Sequence, residues 1–134
     1  MSSVPAGDDV LAPDEPTYDL RTVAELLGVP VTKVHQHLRE GHLVALRRDA
    51  AVVVPRLFFT ETGEVVKALP GLLMVLRDGG YHETEILRWL FTADPSLTLT
   101  YDGVREPVTN ARPVDALRAH QAREVVRRAQ AMAY

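Results

Sequence analysis

The feature that most constrains the fold is a pair of short helical patterns separated by a glycine turn. Residues 20–27 are apolar at helical spacing, and Asp19 precedes them with a carboxylate that can accept the free amides of a first helical turn. Gly28 permits the positive φ that ends a helix, and Pro30 suits the start of another. We therefore predict a second helix over residues 31–40.

An extended pattern rich in Val and Leu follows the two helices. Residues 43–48 and 52–56 flank Asp49-Ala50-Ala51, which predicts a two-stranded hairpin. Pro55 lacks a backbone N–H, so we expect it at an edge or at the end of its strand. Two helices joined by a glycine turn and followed by a hairpin are typical of a winged helix-turn-helix.

The rest of the chain is predicted to be mostly helical. Apolar residues at helical spacing favour helices over 64–69, 70–77 and 83–91, and a long or broken helix over 113–119 and 121–133. A short β-hairpin is predicted over 97–109, because Asp102-Gly103 favours a type I′ turn. The predicted class is α+β, mainly α. A winged helix-turn-helix over 17–60 would carry a packed helical C-terminal domain over 61–134.

Charge is distributed unevenly along the chain. The net charge is −3, but residues 1–19 carry −5, residues 20–59 carry six basic and three acidic residues, and residues 60–134 carry nine basic and ten acidic residues. The mild overall acidity therefore does not exclude a nucleic-acid partner. Residues 1–16 lack apolar periodicity and are predicted to form a flexible acidic arm, which either solubilises the protein or competes with DNA for the basic segment.

The sequence lacks the residues that several classes of function require. The chain has 134 residues and no cysteine, which excludes disulfide frameworks, zinc ribbons and thiol catalysis. His35 and His37 lie two apart on a predicted helix and so point to different faces, which disfavours a metal site. Because we find no phosphate loop and no catalytic constellation, we predict neither enzyme activity nor a cofactor. A signal peptide and a long apolar span are also lacking, so we expect a cytoplasmic protein.

The second predicted helix carries the strongest functional signal. Val34 and Leu38 lie four residues apart and are expected to face the core. The outward residues predicted to approach the major groove of double-stranded DNA are Thr32, Lys33, His35, Gln36 and Arg39. Gln36 is suited to bidentate pairing with adenine. Phosphate contacts are predicted from Arg47, Arg48 and Arg56. The alternative is a helix pair with a solvated polar face and no ligand.

Two resemblances support this interpretation. Residues 18–30 and 34–43 resemble the excisionase/MerR-type helix-turn-helix, in which a strand-turn-strand wing follows the second helix. Longer matches resemble a mycobacterial or actinobacterial family of winged helix-turn-helix DNA-binding proteins that has its own C-terminal domain family. They lie at residues 5–9, 14–19, 69–73, 78–81, 88–92, 110–117 and 122–134. The second resemblance implies DNA binding in the role of a transcriptional regulator.

The same family resemblance implies a membrane Ser/Thr protein kinase, PknL, as a partner. The family carries its phosphoacceptor threonine on additional N-terminal residues, whereas this chain begins Met1-Ser-Ser-Val. The acceptor region is therefore expected to be shortened here. The hydroxyl groups left in the acidic arm are those of Ser2, Ser3 and Thr17.

A third and more distant resemblance concerns the C-terminal half. Trp89-Leu90, Leu97, residues 112–117 and Val125-Val126 distantly resemble the C-terminal domain of Xre/ParS-type antitoxins. The resemblance implies a different function, that of a protein-binding adaptor or antitoxin-like subunit acting through the C-terminal helices. An ordinary helical core around Trp89 explains the same residues and is the favoured interpretation.

Overall fold

A three-stranded antiparallel sheet organises the N-terminal half of the molecule. The computed structural model describes residues 4–99, 109–119 and 121–133. The strands are β1 (Thr17–Asp19), β2 (Leu46–Arg48) and β3 (Ala51–Pro55), in the order β1-β3-β2. Asp49 and Ala50 join β2 to β3 in a two-residue turn with positive φ at both positions, which matches the twist of the strands. The predicted wing is confirmed, although β2 begins at Leu46 and β1 was not predicted.

Two short helices lie between β1 and β2 in the chain. Helix α1 spans Leu20–Leu27 and helix α2 spans Val31–Arg39, as the sequence predicted. The Asp19 carboxylate accepts a hydrogen bond from the backbone amide of Thr22 at 2.7 Å. Gly28 has a φ of 66° and donates its backbone N–H to the last turn of α1. Because both ends of α1 are fixed by local hydrogen bonds, its bounds were predictable from neighbouring residues.

The described part of the C-terminal half contains four helices. They are α3 (Leu69–Asp78), α4 (Glu83–Phe91), α5 (Pro113–Arg118) and α6 (Ala122–Ala133). The predicted bounds of α4 are confirmed, and the last predicted helix is broken into α5 and α6. Helix α3 packs closely on α6, since a Cβ added to Gly79 would lie 2.6 Å from the Cβ of Ala133. The winged helix-turn-helix with a mainly helical remainder is thus confirmed.

Residues 64–68 were predicted to be helical, and that prediction is wrong. Val65 instead forms an antiparallel bridge with Phe59. The Val66 amide donates to the Phe58 carbonyl at 2.9 Å, and Gly63 turns the chain with a φ of 84°. Helix α3 begins only at Leu69, where the following proline fits a first helical turn. Backbone pairing with the end of the wing thus overrides the local helical spacing.

The acidic arm was predicted to be flexible, and the structure contradicts this for residues 4–16. The Gly7 amide donates to the Ala45 carbonyl at 2.8 Å, and the Arg47 amide donates to the Gly7 carbonyl at 2.9 Å. Gly7 thereby forms a parallel bridge with Leu46 of β2. Leu11 is only 8% exposed and joins the core. The arm is therefore a structural element laid along the wing.

One hydrophobic core serves both halves of the chain. It includes Leu11 of the arm, Val34 and Leu38 of α2, and leucines of α3 and α4. Phe58 lies between the halves, fully buried after β3, with its ring centroid 6.0 Å from that of Phe91 in α4. The helix-turn-helix therefore rests on the C-terminal helices. Most of the hairpin predicted over 97–109 lies outside the described residues, which omit 100–108.

Candidate nucleic-acid interface

Helix α2 presents one buried face and one accessible face. Val34 and Leu38 are 0% and 1% exposed and anchor the helix in the core. Of the predicted contact residues on α2, those exposed are Thr32, Lys33 and Arg39, and those half-buried are His35 and Gln36. The structure thus leaves all five side chains at least partly accessible while the opposite face is packed. This is the arrangement that a recognition helix requires.

A hydrogen-bonded chain runs along the accessible face of α2. The Lys33 ammonium donates to the Gln36 side-chain carbonyl at 3.3 Å, and the Gln36 amide donates to the Glu40 carboxylate at 2.8 Å. The hydrogen bond from Gln36 lowers the pKa of Glu40. Sequence reasoning missed Glu40, although its spacing of four residues from Gln36 indicated the contact. A base that pairs with Gln36 would have to replace Lys33 and Glu40 as the hydrogen-bond partners of its side chain.

The arm lies along the backbone edge of β2 and forms an ion pair with one of the two arginines of that strand. The Arg48 guanidinium donates to both oxygens of the Asp9 carboxylate, at 2.7 and 3.0 Å, and also to the carbonyls of Ala12 and Glu15. Arg48 lowers the pKa of Asp9, and Asp9 in turn raises the pKa of Arg48. With a side chain only 15% exposed, Arg48 is placed as an anchor for the arm and does not fit the predicted phosphate contact.

The other two predicted phosphate contacts lie at different places. Arg47 is exposed on β2, and one guanidinium nitrogen donates to the Ala6 carbonyl at 2.8 Å. Arg56 is exposed as well, but it begins a 3-10 turn (Arg56–Phe58) after β3. The five residues of β3 separate it from the Asp49-Ala50 turn by roughly 16 Å. The structure therefore does not bring Arg56 to the tip of the wing.

Two histidines meet at the C-terminal end of α2. The Nδ1 atoms of His37 and His42 are 3.3 Å apart, which allows one proton to be shared between them. They border an apolar pocket of about 420 Å³ whose other lining residues are Leu27, Val29, Leu43, Val65 and Pro70. Burial lowers the pKa of His37, and the neighbouring His42 and Lys33 lower it further. At the end of α2, the histidine pair therefore borders the same pocket as Val65 and the first turn of α3.

This histidine pair predicts a pH dependence of stability. The pKa of folded His37 lies below its ordinary 6.5, so the unfolded chain takes up the proton first as the pH falls. The contribution to the free energy of unfolding is present above pH 6.5 and is lost as the pH falls below it. Urea unfolding measured between about pH 7.5 and 5 should show this loss. His37→Gln should flatten the profile, and an unchanged profile in that variant would contradict the assignment.

Metal-binding clusters and membrane-spanning helices are both absent from the described ranges of the chain. No group of three His, Cys, Asp or Glu side chains among residues 4–99, 109–119 and 121–133 is arranged to hold a metal ion. Within the helices described there, none has the length and apolar character needed to cross a membrane. The candidate interface consists of the accessible face of α2 and the exposed Arg47.

Comparison with known proteins gives matches along nearly the whole chain. The family model described as DNA-binding protein Rv2175c, wHTH domain, matches residues 3–59, and the Rv2175c C-terminal domain of unknown function matches residues 66–133. The DNA-binding protein Rv2175c of Mycobacterium tuberculosis (strain ATCC 25618 / H37Rv) is 75% identical over 134 residues, which cover 100% of this chain and 92% of that protein. The NMR structure of Rv2175c has a TM-score of 0.89 at 75% identity, covering 99% of this chain and 91% of that one.

Proposed function

Because the chain belongs to the family of the DNA-binding protein Rv2175c, we propose that it binds double-stranded DNA and acts as a transcriptional regulator. The observation that carries this proposal is the accessible polar face of α2, held in place by the buried Val34 and Leu38. Helix α2 also lacks a side-chain cap at its N-terminus, where Val31 and Thr32 are exposed. The Lys33 amide donates to the Pro30 carbonyl, but the amides of Val31 and Thr32 have no acceptor within the helix and can donate to a phosphate.

The electrostatic part of the proposed binding rests on three cations. Lys33, Arg39 and Arg47 are exposed and have no carboxylate partner among the described residues. Each cation that neutralises a phosphate contributes about −0.9 to the slope of log K against log salt. Three contacts give a slope of about −3, which means a modest and salt-sensitive affinity. Arg48 adds nothing to this sum while Asp9 holds it.

Gln36 and Arg47 are proposed to act differently, which makes the proposal testable. Gln36→Ala removes the side chain suited to a base edge and should change the sequence preference in a selection from random duplex DNA. Arg47→Ala removes a proposed contact with the DNA phosphate backbone. It should weaken binding to all sequences about equally and make the dependence of affinity on salt shallower. A uniform loss with Gln36→Ala, or an unchanged salt slope with Arg47→Ala, would contradict these assignments.

A membrane Ser/Thr protein kinase is the second partner that we propose for this protein. Of the three candidate hydroxyl groups, that of Thr17 belongs to a half-buried residue at the start of β1, which pairs with Pro55 of β3. That position disfavours phosphorylation of Thr17 in the folded protein. Ser2 and Ser3 are the other candidates and lie outside the described residues. Mass spectrometry after incubation with a kinase of this class tests which hydroxyl is modified.

A further inference from the structure

A cationic groove lies in the C-terminal half, away from the accessible face of α2. It has a volume of about 1250 Å³ and runs between the segment 60–68 and residues 117–119 and 122–123. Its charged lining residues are Glu61, Lys67, Arg118 and Arg123, and all four are exposed. Val66, Leu117 and Ala122 contribute apolar surface to the lining. We refer to it as the C-terminal groove.

The cations of this groove differ from their neighbours in having no acidic partner. In α6, Arg127 and Arg128 are paired with Glu124, and Arg112, which precedes α5, is paired with Asp115. Within the described residues, no carboxylate pairs with Lys67, Arg118 or Arg123. The groove therefore keeps a surplus of positive charge against the one carboxylate of Glu61.

Arg118 is fixed in this groove without being neutralised. One of its guanidinium nitrogens, Nη1, donates to the carbonyls of Leu57 and Phe59. Two uncharged acceptors hold the guanidinium in one orientation while its full charge remains. A cation ordered in advance loses less conformational entropy when an anion binds. Thr60 and Thr62 add two hydroxyl groups to the same lining, their oxygens 3.0 Å apart.

The segment that lines one side of the groove also packs against the helix-turn-helix. The loop that forms the rim of the groove approaches α1, since a Cβ added to Gly63 would lie 3.2 Å from the Cδ2 of Leu26. The same segment continues as Val65 and Pro70, which border a pocket together with Val29 of the turn before α2. Segment 60–70 therefore lines the C-terminal groove on one side and packs against the helix-turn-helix on the other.

We propose that the C-terminal groove binds the phosphate backbone of DNA beyond the duplex segment contacted by α2. This inference rests on the proposed function, because it extends the same DNA footprint. Arg, Lys and Thr side chains are the groups that contact phosphates in protein–DNA complexes. An open groove with its cations exposed suits an extended polyanion, and the segment 60–70 that links it to the helix-turn-helix favours DNA over a separate acidic protein. The C-terminal half then contributes affinity without reading sequence.

The test compares two duplex lengths in the full chain. The groove variant is Lys67→Gln/Arg123→Gln, and the matched control is Arg88→Gln/Arg127→Gln, which removes two exposed cations that do not line the groove. Fluorescence anisotropy titrations use mixed-sequence duplexes of about one and about three helical turns over a range of salt concentrations. On the longer duplex, the groove variant should lower the magnitude of the salt slope by about 2. On the shorter duplex it should match the wild type, and the control should match on both.

The outcomes separate this inference from the proposed function. A wild-type chain that binds neither duplex would contradict the proposed function and, with it, the groove. A wild type that binds both duplexes, with a groove variant whose affinity and slope are unchanged on the longer one, would overturn the groove assignment alone. If that variant instead loses affinity for a phosphothreonine peptide while DNA binding is retained, the groove belongs to a protein partner and the inference is overturned.

Discussion

Lys33→Glu combined with Arg39→Glu is expected to reduce the affinity for duplex DNA at least about thirtyfold while the protein stays folded. Both side chains are exposed on α2, so their replacement leaves the core intact. Loss of one such contact costs about 1–3 kcal/mol, and two contacts cost about 2–6 kcal/mol. Since about 1.4 kcal/mol corresponds to a factor of ten, the lower limit is close to thirtyfold, and repulsion by the new carboxylates adds to it.

The matched control for this variant is Arg88→Glu combined with Arg127→Glu. These two arginines are exposed on α4 and α6, and their replacement changes the net charge by the same amount. Equilibrium titration by gel shift or anisotropy should show a small loss for the control and a large one for the α2 variant. Equal losses would mean that overall charge governs binding. They would contradict the placement of α2 at the DNA.

Phe58→Ala is expected to destabilise the protein by about 3–5 kcal/mol, the usual cost of deleting a buried phenylalanine side chain. Phe58 is fully buried and packs near Phe91 of α4 at the junction of the two halves. Because one core extends through both halves, the variant should lower the stability of the whole chain. The helix-turn-helix and the C-terminal helices should still unfold in one transition.

Urea unfolding followed by two probes measures this effect. Far-UV circular dichroism reports on all helices, and fluorescence of Trp89, the only tryptophan, reports on α4. The two transitions should coincide and move to lower urea together. Met74→Ala is the control, because Met74 is 55% exposed and its loss should cost less than about 0.5 kcal/mol. A Trp89 transition that stays in place while the other moves would show that the halves are independent.

The elements predicted well from sequence are those determined by neighbouring residues. Asp19, Gly28 and Pro30 define the ends of α1 and the start of α2 through contacts within a few positions. The spacing of Val34 and Leu38 then identifies the buried face of α2, and with it the residues left accessible. Most of the candidate recognition surface therefore followed from the helical period alone.

The features that sequence reasoning missed depend on contacts between distant positions. Arg48 lies 39 residues from Asp9, and nothing local distinguishes it from Arg47 as the partner of the arm. Side chains alternate along β2, so these two arginines point to opposite faces. The position of the arm then determines that Arg48, and not Arg47, forms the ion pair with Asp9. Residues 64–68 show helical spacing yet pair with the end of the wing, because tertiary contacts override weak local preferences.

The most direct test of the central claim is a titration of the isotopically labelled chain with duplex DNA, followed by backbone amide NMR spectra. If α2 lies at the DNA, the first and largest chemical-shift changes should occur at the backbone amides of α2, Val31–Arg39. A change is also expected at Arg47 on the wing. Those shifts should weaken as the salt concentration rises. Shifts confined to α4, α5 and α6, with the amides of α2 unmoved at saturating DNA, would contradict the placement of α2 at the DNA.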